Sequence, residues 1–202
     1  MEQEGYIKFH CDWKEKRPLP EKDLRALMHW RDILFKQGFI GAYSNGIGFG
    51  NISQRSRGDQ FIISGSGTGI YKKILPDHFS IVTSFDIVRN YLKCEGPVRA
   101  SSESMTHGVI YREASEINGI IHIHHRQYWE KLLGVVPATS KDAAYGTPEM
   151  AREIIRVFRE TDLRHTKILV MEGHEEGIVS FGADLDEAAE ILFRFARKFA
   201  VI

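Results

Sequence analysis

The stretch Gly119-Ile120-Ile121-His122-Ile123-His124 decides how this chain is read. It is an apolar strand interrupted only by two imidazoles. Alternate residues of a strand project to the same face, so His122 and His124 can converge on one ion. His125 falls on the opposite face and is not expected to join them. His174 stands between two further apolar strand candidates, residues 167–171 and 177–181, where a third nitrogen ligand could enter. A lone strand histidine is more simply a buried ring satisfied by backbone carbonyls, but the clustering favours a metal site. Three protein ligands leave one position open for substrate or water, as in catalytic zinc sites.

Chemistry at such a site also needs a base. Upstream, Ser101-Ser102-Glu103 precedes a helical pattern that runs to about residue 112 and feeds directly into the histidine strand. Ser101 or Ser102 is expected to cap that helix, since a hydroxyl can accept from an unpaired first-turn amide. Glu103 in the first turn is the candidate base, although a glutamate there also complements the helix dipole. His107, one turn later on the same face, is placed to orient that carboxylate or line the pocket, or else to lie on the helix surface.

Two glycine-rich stretches lie earlier, Gly46-Ile47-Gly48-Phe49-Gly50-Asn51-Ile52-Ser53 and Ser64-Gly65-Ser66-Gly67-Thr68-Gly69. Their backbone amides and hydroxyls suit an anion, and such binding needs no net positive charge. The Lys-Ser/Thr ending of a P-loop is absent, and Asn51 and Ile70 stand where a dinucleotide fingerprint would need glycine. Ordinary turn chemistry is the plainer alternative.

Around these motifs the pattern predicts a helix over 21–36 closed by Gly38, and strands over 50–55, 60–64, 79–84 and 87–93. Further helices are expected over 127–133, from Thr147-Pro148-Glu149 to 159, and over 184–199. That mixture indicates an α/β layered domain rather than a helical bundle. Residues 1–20, with Pro18 and Pro20, read as an irregular N-terminal arm, and 21–202 as one domain. At 202 residues and 43% hydrophobic content the chain can bury a full core. Lys plus Arg and Asp plus Glu number 27 each, so no basic stripe awaits a nucleic acid. Cys11 and Cys94 form no disulfide framework or thiolate zinc pattern, which fits a reducing compartment. The acidic start and the lack of a long apolar run lead to the expectation of a soluble, cytoplasmic protein without a membrane span.

Taken in order, these motifs resemble the class II aldolase/adducin family, whose zinc-dependent sugar-phosphate aldolases are typified by fuculose-phosphate aldolase. The resemblance rests on Gly50-Asn51-Ile52-Ser53, Gly67-Thr68-Gly69-Ile70, Ser101-Ser102-Glu103 with His107, His122-Ile123-His124, Gly146-Thr147-Pro148-Glu149 and His174. It implies a three-layer α/β/α fold with a mainly antiparallel central sheet, and assembly as a homotetramer with the site at a subunit boundary. It implies Zn2+, or another divalent metal, on His122, His124 and His174, and acid/base duty for Glu103. Phosphate contacts are implied for Asn51, Thr68, Gly69, Ser101 and Ser102. The implied reaction is cleavage of a short ketose 1-phosphate to dihydroxyacetone phosphate and an aldehyde through a zinc-stabilised enediolate. A methylthioribulose-phosphate dehydratase-like lyase or a non-catalytic scaffold of the same fold are the alternatives.

Two features separate this chain from the pattern. Gly173-His174-Glu175-Glu176-Gly177 carries two carboxylates where relatives place glycine directly after the third ligand. The segment between His124 and Gly146 is short, and the tyrosine that aldolases place there is missing. Tyr145 is the nearest substitute, and no tyrosine follows it.

Overall fold

The structure, a computed structural model, describes residues 6–202; the acidic start and the first part of the expected arm lie outside them. In chain order the elements are β1 (His10–Glu15), α1 (Glu21–Lys36), β2 (Gly41–Ala42), β3 (Gly48–Phe49), β4 (Asn51–Arg55), β5 (Phe61–Ser64), β6 (Phe79–Asp86) and β7 (Tyr91–Gly96). There follow α2 (Ser104–Glu113), β8 (Gly119–His124), α3 (Arg126–Leu132), β9 (Ala138–Thr139), α4 (Pro148–Glu160), the short α5 (Leu163–Thr166), β10 (Ile168–Met171), β11 (Gly177–Gly182) and α6 (Leu185–Lys198).

Nine strands form one sheet in the order β1-β7-β6-β5-β4-β8-β11-β10-β9. Its six inner pairings are antiparallel, but β1 on β7 and β9 on β10 are parallel, so the sheet is mixed rather than uniformly antiparallel. The histidine strand β8 lies inside it, between β4 and β11. Strand alternation divides its apolar residues. Ile120 joins one buried cluster with α2 and α4, whereas Ile121 and Ile123 join another with α1, α3 and α6. α2 packs on α4 as well as on the sheet, so the layering is less regular than the expected three-layer sandwich.

The later helices form where their caps predict. Thr147 accepts from the Met150 amide with Pro148 in the first turn, and Asp184 accepts from the Glu187 amide at 2.8 Å. Each such cap contributes about 1 kcal/mol.

Three expectations change. The N-terminal arm is irregular only in part: within it His10–Glu15 is an edge strand, with Cys11 and Trp13 turned towards the core cluster that contains Phe9. The strand expected from residue 87 begins at Tyr91, because 87–90 make a turn in which Asn90 takes φ 47°. Neither serine is the residue that caps α2. Glu103 occupies that position, and Ser101 Oγ accepts from the Glu103 amide at 3.3 Å.

Candidate active site

The imidazoles of His122, His124 and His174 meet, each buried, with one ligand atom from each lying within 4.8 Å of the others. The first two come from one face of β8. The third comes from the turn between β10 and β11, whose strand β11 pairs with β8 so that Gly177 stands opposite His124. A Cβ at Gly177 would sit 2.8 Å from the His174 carbonyl oxygen and 3.3 Å from His122 Nε2, so the bare backbone keeps the space between the rings open.

Three buried nitrogen donors in so small a volume suit a borderline divalent cation. His122 Nε2 is buried without a hydrogen-bond partner, a cost that a bound cation would remove. Burial pushes His122 down to about 3 and His124 well below the usual histidine range, so these rings are neutral at neutral pH, the form a metal requires. The residues present therefore fit a metal.

Glu103 lies against this cluster, with Oε1 3.3 Å from His174 Nδ1 and both side chains 2% exposed. The Thr106 hydroxyl donates to its other oxygen at 2.9 Å. Burial raises the Glu103 carboxyl, but His174, through charge and hydrogen bond, together with His122 and Thr106 outweighs it and holds the group at about 2. That lowering is realised when a positive charge, a proton or a cation, sits among the rings.

Glu103 also lines a pocket with Asn51, Thr68, Gly69, Ser101 and Ser102, so every residue expected to contact phosphate borders one space. The 3-10 turn Thr68–Ile70 packs backbone to backbone on the β2–β3 hairpin. A Cβ at Gly69 would lie 2.1 Å from the Gly41 carbonyl oxygen, which only glycine tolerates. Asn51 ties pocket to metal cluster, its carboxamide 3.2 Å from His122 Nδ1.

His107 does not orient the carboxylate, which Thr106 does instead. Its Nδ1 lies 2.7 Å from Ser53 Oγ, itself 2.8 Å from the Tyr111 hydroxyl, and burial pushes His107 down to about 4. Tyr145, the nearest substitute for the missing tyrosine, borders the cluster, with its ring 4.6 Å from that of His174 and its hydroxyl accepting from the Tyr6 amide. The two carboxylates after His174 part company. Glu175 turns outward to Arg126, and Glu176 turns inward to accept from the Tyr43 hydroxyl at 2.9 Å. His125 caps α3, its Nδ1 accepting from the Tyr128 amide, as befits a residue on the other face.

Sequence reasoning missed two residues. Tyr43, at the β2–β3 hairpin, lies 2.9 Å from His124 Nδ1. Arg31, from α1, is 1% exposed and donates from one nitrogen to the Thr68 and Gly69 carbonyls at 3.0 and 3.3 Å, beneath the pocket's turn. A cationic residue on the buried stripe of an amphipathic helix was the available signal, since an arginine is rarely buried without a partner.

The family model of the class II aldolase and adducin N-terminal domain matches residues 44–201. The chain belongs to this family. A search of curated proteins gave no match. Solved structures similar to this class II aldolase/adducin chain include YgbL, a putative aldolase/epimerase/decarboxylase from Klebsiella pneumoniae. It is 17% identical with a TM-score of 0.65 over 91% of this chain and 90% of that one. An L-fuculose 1-phosphate aldolase is 18% identical with a TM-score of 0.65, over 91% of this chain and 87% of its own. A sugar-phosphate aldolase from Thermotoga maritima is 15% identical with a TM-score of 0.61, over 90% and 93%. Identities this low establish a shared fold. No helix among the described residues is long and apolar enough to cross a membrane.

Proposed function

We propose that this family member is a metal-dependent lyase that cleaves a short ketose 1-phosphate to dihydroxyacetone phosphate and an aldehyde. The observation that carries the reading is one buried carboxylate, Glu103, that touches the imidazole cluster on one side and lines the serine- and glycine-rich pocket on the other.

The pocket is an anion cradle. Asn51, Thr68, Gly69, Ser101 and Ser102 offer amide and hydroxyl donors to a phosphate, and Arg31 adds a fixed positive charge behind Thr68 and Gly69. Anchoring the phosphate there holds the rest of the substrate between the cradle and the three imidazoles. His122, His124 and His174 would hold the cation, zinc by donor preference, which when bound supplies Lewis acidity to stabilise the substrate's enediolate. Glu103 then carries the proton. In cleavage the hydroxyl on the carbon that becomes the aldehyde gives up its proton to Glu103, the carbon–carbon bond breaks, its electron pair enters the enediolate, and Glu103 passes the proton on to that carbon to give dihydroxyacetone phosphate. In condensation Glu103 takes the same proton away.

Charge favours this division of labour, because the carboxyl stays ionised beside a cation and so is ready to accept. We assign the protein to the cytoplasm as a homo-oligomer, a tetramer by family resemblance. The exposed apolar side chains of Ile70, Tyr71 and Leu75 beside the cradle support burial against another copy.

The test is a panel of ketose 1-phosphates given to metal-loaded protein, with products identified by mass. Release of dihydroxyacetone phosphate supports the reading. Loss of water from a methylthioribulose-type phosphate would transfer the same residues to a dehydratase, and no product from any substrate would favour a scaffold.

A further inference from the structure

Tyr43 and Glu176 stand outside the residues assigned above, yet they meet at the ring of one proposed ligand. The Tyr43 hydroxyl lies 2.9 Å from Glu176 Oε2 and 2.9 Å from His124 Nδ1. A phenol has one proton to give, and an ionised carboxylate can only accept, so the proton goes to Glu176. The short contact to the imidazole then requires Nδ1–H of His124 as donor to the phenolic oxygen. That leaves the lone pair of His124 on Nε2.

The surrounding structure holds this pair in place. The Tyr43 ring packs on Phe49 at 4.6 Å, within a hairpin closed by the Tyr43 amide donating to the Ile47 carbonyl. Phe49 in turn lies 5.8 Å from the His124 ring. On the other side Arg126 Nε donates to Glu176 Oε1 at 3.2 Å, leaving Oε2 for the phenol. The His125 amide donates to the Glu176 carbonyl at 3.1 Å, fixing the backbone.

Glu176 sits at φ 72°, in the left-handed region that penalises a side chain with a Cβ. Glycine would occupy this position without strain, so the glutamate is kept against a local cost. Such strain is expected where a side chain serves a site.

We infer that Tyr43 and Glu176 are a positioning pair that fixes His124 as its Nδ1-protonated tautomer, with Nε2 reserved for the metal. Glu176 orients the phenol, the phenol orients the imidazole, and neither contacts the ion. A metal-ligating histidine normally donates its other ring N–H to such a partner, and losing that partner typically costs 10–100-fold in affinity. Here the partner is a phenol backed by a carboxylate, built from the β2–β3 hairpin and from one of the two glutamates after His174. The inference rests on the metal reading of the histidine cluster.

Zinc titration against a chromophoric chelator tests it, using the full chain and its Tyr43→Phe, Glu176→Gln and Glu176→Gly variants. The expected result is tight, stoichiometric binding by the parent, with affinity falling roughly 10–100-fold in all three variants. The second readout needs no metal. Nitrogen-15 NMR of the metal-free parent should show His124 protonated at Nδ1, and Tyr43→Phe should mix the two tautomers. The third is thermal unfolding of the metal-free protein. Glu176→Gly should leave the midpoint unchanged or raised while weakening zinc, a split that a merely loop-holding glutamate would not give. Parent binding with all variants within two-fold of it would overturn the positioning role alone. A parent that binds no zinc would overturn the metal reading and this inference together.

Discussion

Glu103 Oε1 stands 3.3 Å from His174 Nδ1, and both side chains are closed off from solvent. The contact joins the end of one helix to the turn between two strands, and it places a proton carrier beside the nitrogen cluster. Glu103→Gln keeps the volume and the Thr106 hydrogen bond while removing the transferable proton. Turnover should fall at least about 100-fold, the usual worth of a general acid–base group, with zinc content and fold retained. Steady-state kinetics with metal analysis of the same sample checks both halves, and undiminished turnover would remove Glu103 from the mechanism.

Metal binding and stability should be linked through His174. A cation that binds only the folded chain stabilises it by about 2.7 kcal/mol at a free concentration a hundred times its dissociation constant. Zinc should therefore raise the melting temperature of chelator-treated protein, and His174→Ala should abolish most of that rise. Differential scanning calorimetry with and without zinc gives the comparison.

Arg31 underlies the anion cradle through the Thr68 and Gly69 carbonyls. Arg31→Met removes the charge and both bonds while keeping an apolar stem beside Phe35. Hydrogen bonds to charged groups are worth about 1.5–3 kcal/mol, so affinity for inorganic phosphate should weaken at least about ten-fold. Isothermal titration of metal-loaded protein with phosphate measures the change, and Arg31→Lys should recover part of it.

Acid should destabilise the metal-free protein partly through His107. Burial lowers its folded pKa to about 4, below the ordinary histidine value of 6.5. The unfolded chain therefore binds the proton first. The stability present above pH 6.5 is lost as pH falls towards 4, and below that both states are protonated. A shift of this size corresponds to about 3 kcal/mol. His122, lowered to about 3, adds loss in the same direction. Urea midpoints measured from pH 7 to 4 should fall more steeply in the parent than in His107→Gln.

The parts of this molecule legible from sequence are those whose signal is local. β8 ends where the apolar run Gly119–His124 ends, and α4 and α6 begin at Thr147 and Asp184, whose side chains cap the first turns. β1 escaped because a parallel edge strand needs only alternate residues inward, and Cys11 and Trp13 among charged neighbours read as an arm. The α2 cap was misplaced because Ser101 bonds the Glu103 amide one step before the helix proper. His122 and His124 were readable as a pair from strand alternation, and His174 joins them through the register of β11 on β8. Tyr43 and Arg31 were invisible for a different reason. Tyr43 meets His124 and Glu176, and Arg31 meets Thr68, only after β-hairpin and helix have packed across long stretches of chain. No local spacing encodes those contacts.

Hydrogen exchange into dihydroxyacetone phosphate tests the central claim most directly, because it needs no knowledge of the aldehyde. Zinc-loaded protein incubated with this compound in deuterated water should replace one hydrogen on the carbon bearing the free hydroxyl, followed by proton NMR. Chelation or Glu103→Gln should stop the exchange. A zinc-loaded parent that leaves both hydrogens in place would contradict the assignment of Glu103 and the three histidines to enediolate chemistry.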